Sequence, residues 1–353
     1  MYAMRDTARS YAVSTTAEES EAAPAEETAV AAAPRSSFLT VLAALGPDIT
    51  LCLLCAMALG VVGQLFGAHY VLRLSTMLLP GLVAPCILVV QLLRGRFREE
   101  ALATLRDWMP LVFVAVVFDN LENYTALVRP LVIDSYLYRI DVALFGIEPS
   151  VWMMKVYHPL LTDWMASCYA IFLITPMFLA IVVALRGRRG DFREIALAVM
   201  LQMWIAFFVF ICLPAGPPRY YAPLRDGVFH TALPSFFNIN SALQAKWDTY
   251  SPLLVRASFP SLHCAYATLT LIYAWRYGDA VFKSWLPRRA FFWMVLPLEL
   301  SLYLSTIYLR HHWIPDIAAG ILLGIIACNV APWLRARWPE MKSRRRAAAA
   351  AAV

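Results

Sequence analysis

Two short stretches of this chain carry side chains able to do chemistry. One is Ser258-Phe259-Pro260-Ser261-Leu262-His263, and the other is His311-His312-Trp313-Ile314-Pro315-Asp316. Each sits at the edge of a long apolar run, where ionisable groups are costly and mark a functional site by default. A histidine nitrogen can attack phosphorus, and a carboxylate on its other nitrogen fixes the tautomer and stabilises the imidazolium. His312 and Asp316 are four apart and share a face if a helix begins there. His263 then serves as the acid for the leaving oxygen. The expectation is that the two stretches meet and form one phosphoryl-transfer site at a membrane surface. Two plainer readings stand beside it. His312 and Asp316 can be a helix-capping pair, with His263 bonded to backbone. His263, His311, His312 and Asp316 are also metal-ligand types, although adjacent His311 and His312 diverge on a helix, so at most three converge on one ion.

Elements must hold these stretches together, and composition says what kind. The chain has 353 residues, is 61% hydrophobic and has a mean hydropathy of +0.61. That profile is an all-α polytopic membrane bundle rather than a soluble domain. Apolar runs fall at about 49–66, 74–93, 108–124, 163–185, 195–213, 260–275, 290–309 and 317–334. Each is near the roughly 20 residues that a membrane-crossing helix needs. The sequence therefore predicts about eight spans.

Charge placement tests that count. The loops 94–106, 186–194 and 276–289 and the tail 335–346 hold 18 Lys and Arg in 48 positions. The opposite loops 67–73, 125–162, 214–259 and 310–316 hold 9 in 98. Basic residues gather on the cytoplasmic side, so both termini are expected inside a cell membrane. His263, His312 and Asp316 are then all expected at the outer face. The net charge of +6 lies in short clusters between apolar runs, not on one continuous face, so a nucleic-acid partner is not expected.

The remaining segments are expected to play lesser parts. Residues 1–37 are rich in Ala, Glu, Ser and Thr and read as a solvated cytoplasmic tail. Residues 38–107 are expected to hold two accessory spans, 108–336 the catalytic core, and 337–353 a basic tail. Loop 125–162 contains Val151-Trp152-Met153-Met154, too short to span and suggestive of a helix in the interface. Pro and Gly in Pro214-Ala215-Gly216-Pro217-Pro218 end the preceding helix, and the loop that follows is expected to cap the site. The seven cysteines lie in or next to apolar runs and read as small apolar side chains, with no disulfide framework. Asp119, Glu122 and Asn123 either contact a polar head group or bond neighbouring helices and interfacial water.

Pro260-Ser261-Leu262-His263 resembles the Pro-Ser-x-His motif of the type-2 phosphatidic acid phosphatase superfamily. Ser305, His312 seven residues on, and Asp316 resemble its third motif, Ser-Arg-x5-His-x3-Asp. Phe-Pro-Ser-Leu-His together with His-His-x-x-x-Asp is closer to one branch, the fungal inositol phosphorylceramide synthases and their bacterial relatives. The resemblance spans roughly residues 108–334. It implies a six-helix core and a phosphohistidine at His312, oriented by Asp316. It further implies that His263 protonates the leaving group and later activates the acceptor, and that Ser261 bonds the phosphate.

Two departures narrow the choice. Thr306 stands where the phosphatases carry Arg, and their first motif, Lys-x6-Arg-Pro, has no clean counterpart. The nearest material is Gly216-Pro217-Pro218-Arg219-Tyr220-Tyr221. Fewer cations suit a phosphodiester better than a doubly charged monoester. The expected activity is therefore transfer of an inositol-phosphate-type head group between lipids, from a lipid phosphate donor to an alcohol acceptor. A lipid phosphatase with water as acceptor is the alternative. Arg219, Tyr220, Arg310 and His311 are the candidate substrate-binding residues beside Ser261. No metal or organic cofactor is required, because the histidine is already a nucleophile. A non-catalytic lipid transporter or scramblase is the competitor from another class, but transport needs polar residues through the bilayer depth, and here they gather at one edge. A vanadate-dependent haloperoxidase shares the motifs, but its oxyanion pocket is rich in Lys and Arg, and Thr306 argues against it.

Overall fold

The computed structural model describes residues 38–66, 103–115, 118, 131–229, 233–249, 256–282, 287 and 289–338. Among these there is no named strand, only one isolated bridge between Ala215 and Ala257. The tail 1–37, the run 74–93, the residues Asp119, Glu122 and Asn123, and the chain beyond 338 lie outside the described residues.

The principal helices are α1 (Phe38–Phe66), α2 (Asp134–Phe145), α3 (Pro149–Met153), α4 (Pro159–Ala170), α5 (Ile174–Leu185), α6 (Arg189–Cys212), α7 (Leu262–Tyr277), α8 (Ala290–Tyr308) and α9 (Ile314–Arg337). Residues 103–115 are helical as well. Four segments are long and apolar enough to cross a membrane: Leu45–Phe66, Arg189–Cys212, Ala290–Tyr308 and Ile314–Arg337. The pair α4 and α5 makes a fifth if it is one span, bent by 42°. The chain is thus an all-helical membrane bundle. The expected continuous run 163–185 is this broken pair: residues 171–173 form turns, and no single helix crosses the break. Helix α1 is broken near its start, ahead of the apolar run 49–66, because Gly46 takes φ +85° and Pro47 follows it.

The bundle alternates. Arg186 donates to the Ala280 carbonyl at 3.0 Å, and Arg188 pairs with Asp279 at 3.1 Å. The end of α5, the start of α6 and the end of α7 therefore share one end of the bundle. At the other end, the segment after α6 pairs with the segment before α7: Ser258 N–H donates to the Ala215 carbonyl at 2.9 Å. Both histidine stretches lie at this second end.

Helix α7 is the hub. It is only 16 residues long, and ten of them are buried, among them Cys264, Ala265, Ala267, Leu269 and Tyr273. Short side chains let α9 come close. A Cβ on Gly324 would meet the Ala265 carbonyl oxygen at 2.7 Å, so only Gly fits. This small-residue contact is a common device for close helix packing in lipid.

Helix α2 is a difference from the sequence reading, which left this stretch in a loop. Its buried residues are Asp134, Leu137 and Asp141, while Tyr136, Ile140, Leu144 and Phe145 are exposed. The carboxylates face inward and the apolar groups outward, so its hydropathy pattern is inverted. The expected short helix at 151–154 is present as α3 followed by a 3-10 turn, Met154–Val156, with Trp152 exposed.

Candidate active site

The turn between α8 and α9 builds the centre. After Tyr308 the chain reverses through Arg310, which holds φ +64°. The N–H groups of His311 and His312 both donate to the Thr306 carbonyl, at 2.9 and 3.0 Å. An αL residue at the end of a helix, with amides folded back on its last carbonyls, is a common helix stop. Helix α9 then begins at Ile314, with Pro315 in its first turn. Asp316 is the third helical residue, and its Oδ2 accepts the Trp313 N–H at 3.2 Å. The same oxygen lies 3.2 Å from His312 Nδ1. His312 and Asp316 therefore do meet, but not along one helical face: His312 precedes the helix, and the contact crosses the turn. The capping reading is correct for Asp316 and incomplete, since the capping oxygen also binds the imidazole.

The second stretch brings in the other histidine. Ser261 is the N-cap of α7, and its Oγ accepts the Cys264 N–H at 3.3 Å. Its own N–H donates to the Asp316 carbonyl at 2.9 Å. His263 follows in the first turn, with Nδ1 3.4 Å from His312 Nε2. Tyr169 stacks on the His263 ring at 4.0 Å, and Phe172 tilts against it at 4.1 Å. The other face of the Tyr169 environment is His311, stacked at 4.4 Å. Burial, followed by the nearby charge of Arg219, holds the His311 imidazole well below its usual pKa. His263 Nε2 is buried with no hydrogen-bond partner.

Three groups missed by sequence reasoning matter here. Ser258 Oγ lies 2.5 Å from Asp316 Oδ2 and 3.1 Å from His312 Nδ1. Tyr169 and Phe172 come from the break between α4 and α5, and only that break puts both rings on His263. Ser258 stood inside the motif stretch, but nothing in its spacing separates it from Ser261. The sequence signal of the break is Pro176, in the first turn of α5.

Two arginines belong to the turn and to the loop packed on it. Arg310 is buried, its Nε donates to Tyr157 Oη at 3.1 Å, and its guanidinium lies over the Phe229 ring at 4.2 Å. The Arg219 N–H donates to the Arg310 carbonyl at 3.2 Å. The Arg219 guanidinium lies over Tyr220 at 4.6 Å, so Tyr220 serves as a platform for Arg219. Behind the turn lie buried acids. Asp134 accepts the Gly216 N–H at 2.7 Å, and burial pushes its carboxyl up to about 6, with the Asp316 charge adding to the shift. Asp141 accepts the Ile314 N–H at 3.3 Å, and burial pushes it up to about 7, with Glu148 and Asp316 adding to it. Their sequence signal is two Asp seven apart, two helical turns, in the stretch Asp134–Phe145. Trp313 fills the space between, with its indole N–H donating to the Gly216 carbonyl at 2.8 Å. Among the described residues, no three His, Cys, Asp or Glu side chains are grouped as ligands of one ion.

Fold and site together define a helical membrane bundle with two histidines and an aspartate gathered where two helices start. The family model described as the PAP2 superfamily matches residues 135–330, more than half of the chain, and the chain belongs to that superfamily. Membership makes it a lipid enzyme of the phosphatase or phosphotransferase type. No curated protein and no solved structure matches the chain. The matched region begins in α2 and ends in α9. It takes in both histidine stretches and leaves α1 and residues 103–115 outside, so the shared region starts later than the expected 108.

Proposed function

We propose that this protein is a lipid phosphotransferase working through a phosphohistidine on His312 Nε2. The observation that carries the reading is the arrangement around that ring. Nδ1 faces Asp316 and Ser258 at 3.2 and 3.1 Å, so Nδ1 keeps the proton and Nε2 keeps the lone pair, on the side where His263 stands. Nε2 attacks phosphorus, an N–P bond forms, and the P–O bond to the first alcohol breaks as His263 gives that oxygen a proton. The second alcohol then gives its proton to His263 and attacks phosphorus, and the N–P bond breaks. Arg219 and Arg310 supply positive charge for the phosphate oxygens. The basic residues at the far end of the bundle favour an extracytoplasmic site.

The finer assignment is head-group transfer of the inositol phosphate type, as in the synthase branch that the motifs resemble. Ser261 Oγ caps α7 as an acceptor, which leaves its O–H as a donor for a phosphate oxygen. The test uses purified protein in detergent with a mixed lipid extract, with and without inositol and with ceramide or diacylglycerol. Lipid products are followed by mass spectrometry beside free phosphate, with His312→Ala as the blank. New phosphodiester lipid that vanishes in the blank supports the transferase and names its acceptor. Phosphate release alone makes water the acceptor and the enzyme a phosphatase. Products unchanged in His312→Ala overturn the mechanism.

A further inference from the structure

We propose that Ser258 is a positioning residue of this reaction, its hydroxyl seated between His312 and Asp316 so that it fixes the ring and tempers the carboxylate. The proposal rests on the phosphohistidine reading above. Ser258 is 4% exposed, and its backbone is held by the Ala215 carbonyl at 2.9 Å. Its Oγ has three neighbours: Asp316 Oδ2 at 2.5 Å, His312 Nδ1 at 3.1 Å and the His311 carbonyl at 3.4 Å. A serine hydroxyl has one proton to give. The shortest contact is with a carboxylate oxygen, which is where a charge-assisted donation goes. The lone pairs of Oγ then face Nδ1, which must donate. The Nδ1–H is shared between Ser258 Oγ and Asp316 Oδ2, and the ring cannot take the tautomer that would protonate Nε2.

Asp316 explains why this matters. Its Oδ1 is buried with no partner. Oδ2 alone carries Ser258, His312 and Trp313. Removing the serine hydroxyl takes a donor from that oxygen, so more of its charge falls on His312. The imidazolium is then favoured, and the nucleophile is protonated at a higher pH. Other groups act on the same pair. His263 lies 3.4 Å from His312, and Arg219, His312 and His263 all act on His311. Asp134 and Asp141 face Asp316, and Arg256 faces Asp134. None of these changes in the test.

The experiment compares wild type, Ser258→Ala and Ser258→Thr across pH in the product assay, with folding checked by thermal unfolding in detergent. Ser258→Ala is expected to lose about tenfold or more in kcat, since a loosened ring is badly aimed. Its acid limb is expected to rise by about half a pH unit or more. Ser258→Thr, which keeps the hydroxyl, restores both. A merely structural role would lower the rate equally at every pH and would overturn the proposal, as would Ser258→Ala matching wild type. If Ser258→Ala does not fold, Ser258→Cys and Ser258→Thr take its place: a weak thiol donor must move the acid limb upward and Thr must not, and equal profiles overturn the proposal. If His312→Ala leaves turnover intact, the reading itself fails. The serine is then judged by nitrogen NMR of histidine-labelled protein, with the His312 signal assigned by its loss in His312→Gln. A His312 titration unmoved by Ser258→Ala overturns the proposal there too.

Discussion

Gly320 on α9 lies against Ser261 at the start of α7 so closely that a Cβ there would sit 2.2 Å from the Ser261 carbonyl oxygen. The same Cβ would meet Cys264 Cβ at 3.1 Å. Backbone is on backbone here, so nothing flexible can yield. This contact sets the distance between the helix that carries His263 and the helix whose first turn carries Asp316. Gly320→Val is therefore expected to force α9 from α7, pull the two histidines apart, and cost more than about tenfold in kcat. Stability should fall by about 1–3 kcal/mol, the usual cost of overpacking. Gly60→Ala in α1, where nothing lies within 4 Å, is the control: turnover should not change, and stability should hold or rise slightly. Product rate and thermal unfolding in detergent read both.

Asp316 separates two roles through two substitutions. Asp316→Asn keeps an oxygen for the Trp313 N–H, so α9 keeps its cap and the protein should fold. The charge that stabilises the His312 imidazolium is gone, while the oxygen that caps Trp313 still accepts from Nδ1. Turnover should fall by about 100-fold or more, at nearly unchanged stability. Asp316→Ala should lose the cap as well and cost about a further 1 kcal/mol of stability. Equal turnover in wild type and Asp316→Asn would remove Asp316 from the mechanism.

The sequence made the histidines and their partner legible because each is a rare type in apolar surroundings. It also placed both stretches at one end, since alternating spans and basic loops are counted without knowing how helices pack. What it could not show is set by tertiary contact. Helix α2 hid because Asp134 and Asp141 point inward, against the ordinary polarity of an amphipathic helix. Tyr169 and Phe172 hid because a bend within one apolar run leaves hydropathy unchanged. Ser258 hid because its partners are 54 and 58 residues away in the chain. Helix α9 begins at Ile314, after His312, so His312 reaches Asp316 across the turn and not along one helical face.

The buried acids predict a pH dependence of stability. Asp141 rises from the ordinary 3.8 to about 7, chiefly by burial, and Asp134 rises to about 6. A carboxyl raised in the folded state binds its proton more tightly there than in the unfolded chain. Its contribution is complete below about 4 and is lost as pH rises through 6 and then 7. The unfolding temperature should therefore fall between pH 4 and pH 7. Asp141→Asn keeps an acceptor for the Ile314 N–H and should flatten the upper part of that slope. A slope unchanged in Asp141→Asn would rule out Asp141 as its source.

Arg310 combines a strained backbone with a fixed guanidinium. Its φ of +64° turns the chain into the histidine pair, and its Nε is oriented by Tyr157. Arg310→Lys keeps the charge and loses the planar fork that binds two phosphate oxygens at once. The expected result is a rise in KM of about tenfold, with a smaller change in kcat. Tyr157→Phe should do the same more weakly, because it frees the guanidinium without removing it. A kcat loss with KM unchanged would instead place Arg310 in the transition state alone.

The far end of the bundle offers a test of how the segment outside the family match is held. Asp107, 4% exposed, lies in the helical run 103–115 and pairs with Arg106 at 3.1 Å, Arg189 at 2.7 Å and Arg193 at 3.7 Å. Asp48 of α1 faces Arg106 at 3.3 Å and Arg193 at 3.6 Å. Two carboxylates and three guanidinium groups thus tie α1 and residues 103–115 to the start of α6. The arginines are partly exposed, so solvent discounts each pair, but stripping a buried partner still leaves charges facing one another. Asp107→Ala should lower stability by about 1–3 kcal/mol. Helix α6 spans about 36 Å from this network to the histidine end, at 1.5 Å per residue. Turnover of the folded fraction should therefore stay near wild type. A variant of normal stability would show that packing such as Trp108 on Phe192, 4.8 Å apart, holds this segment without the charges.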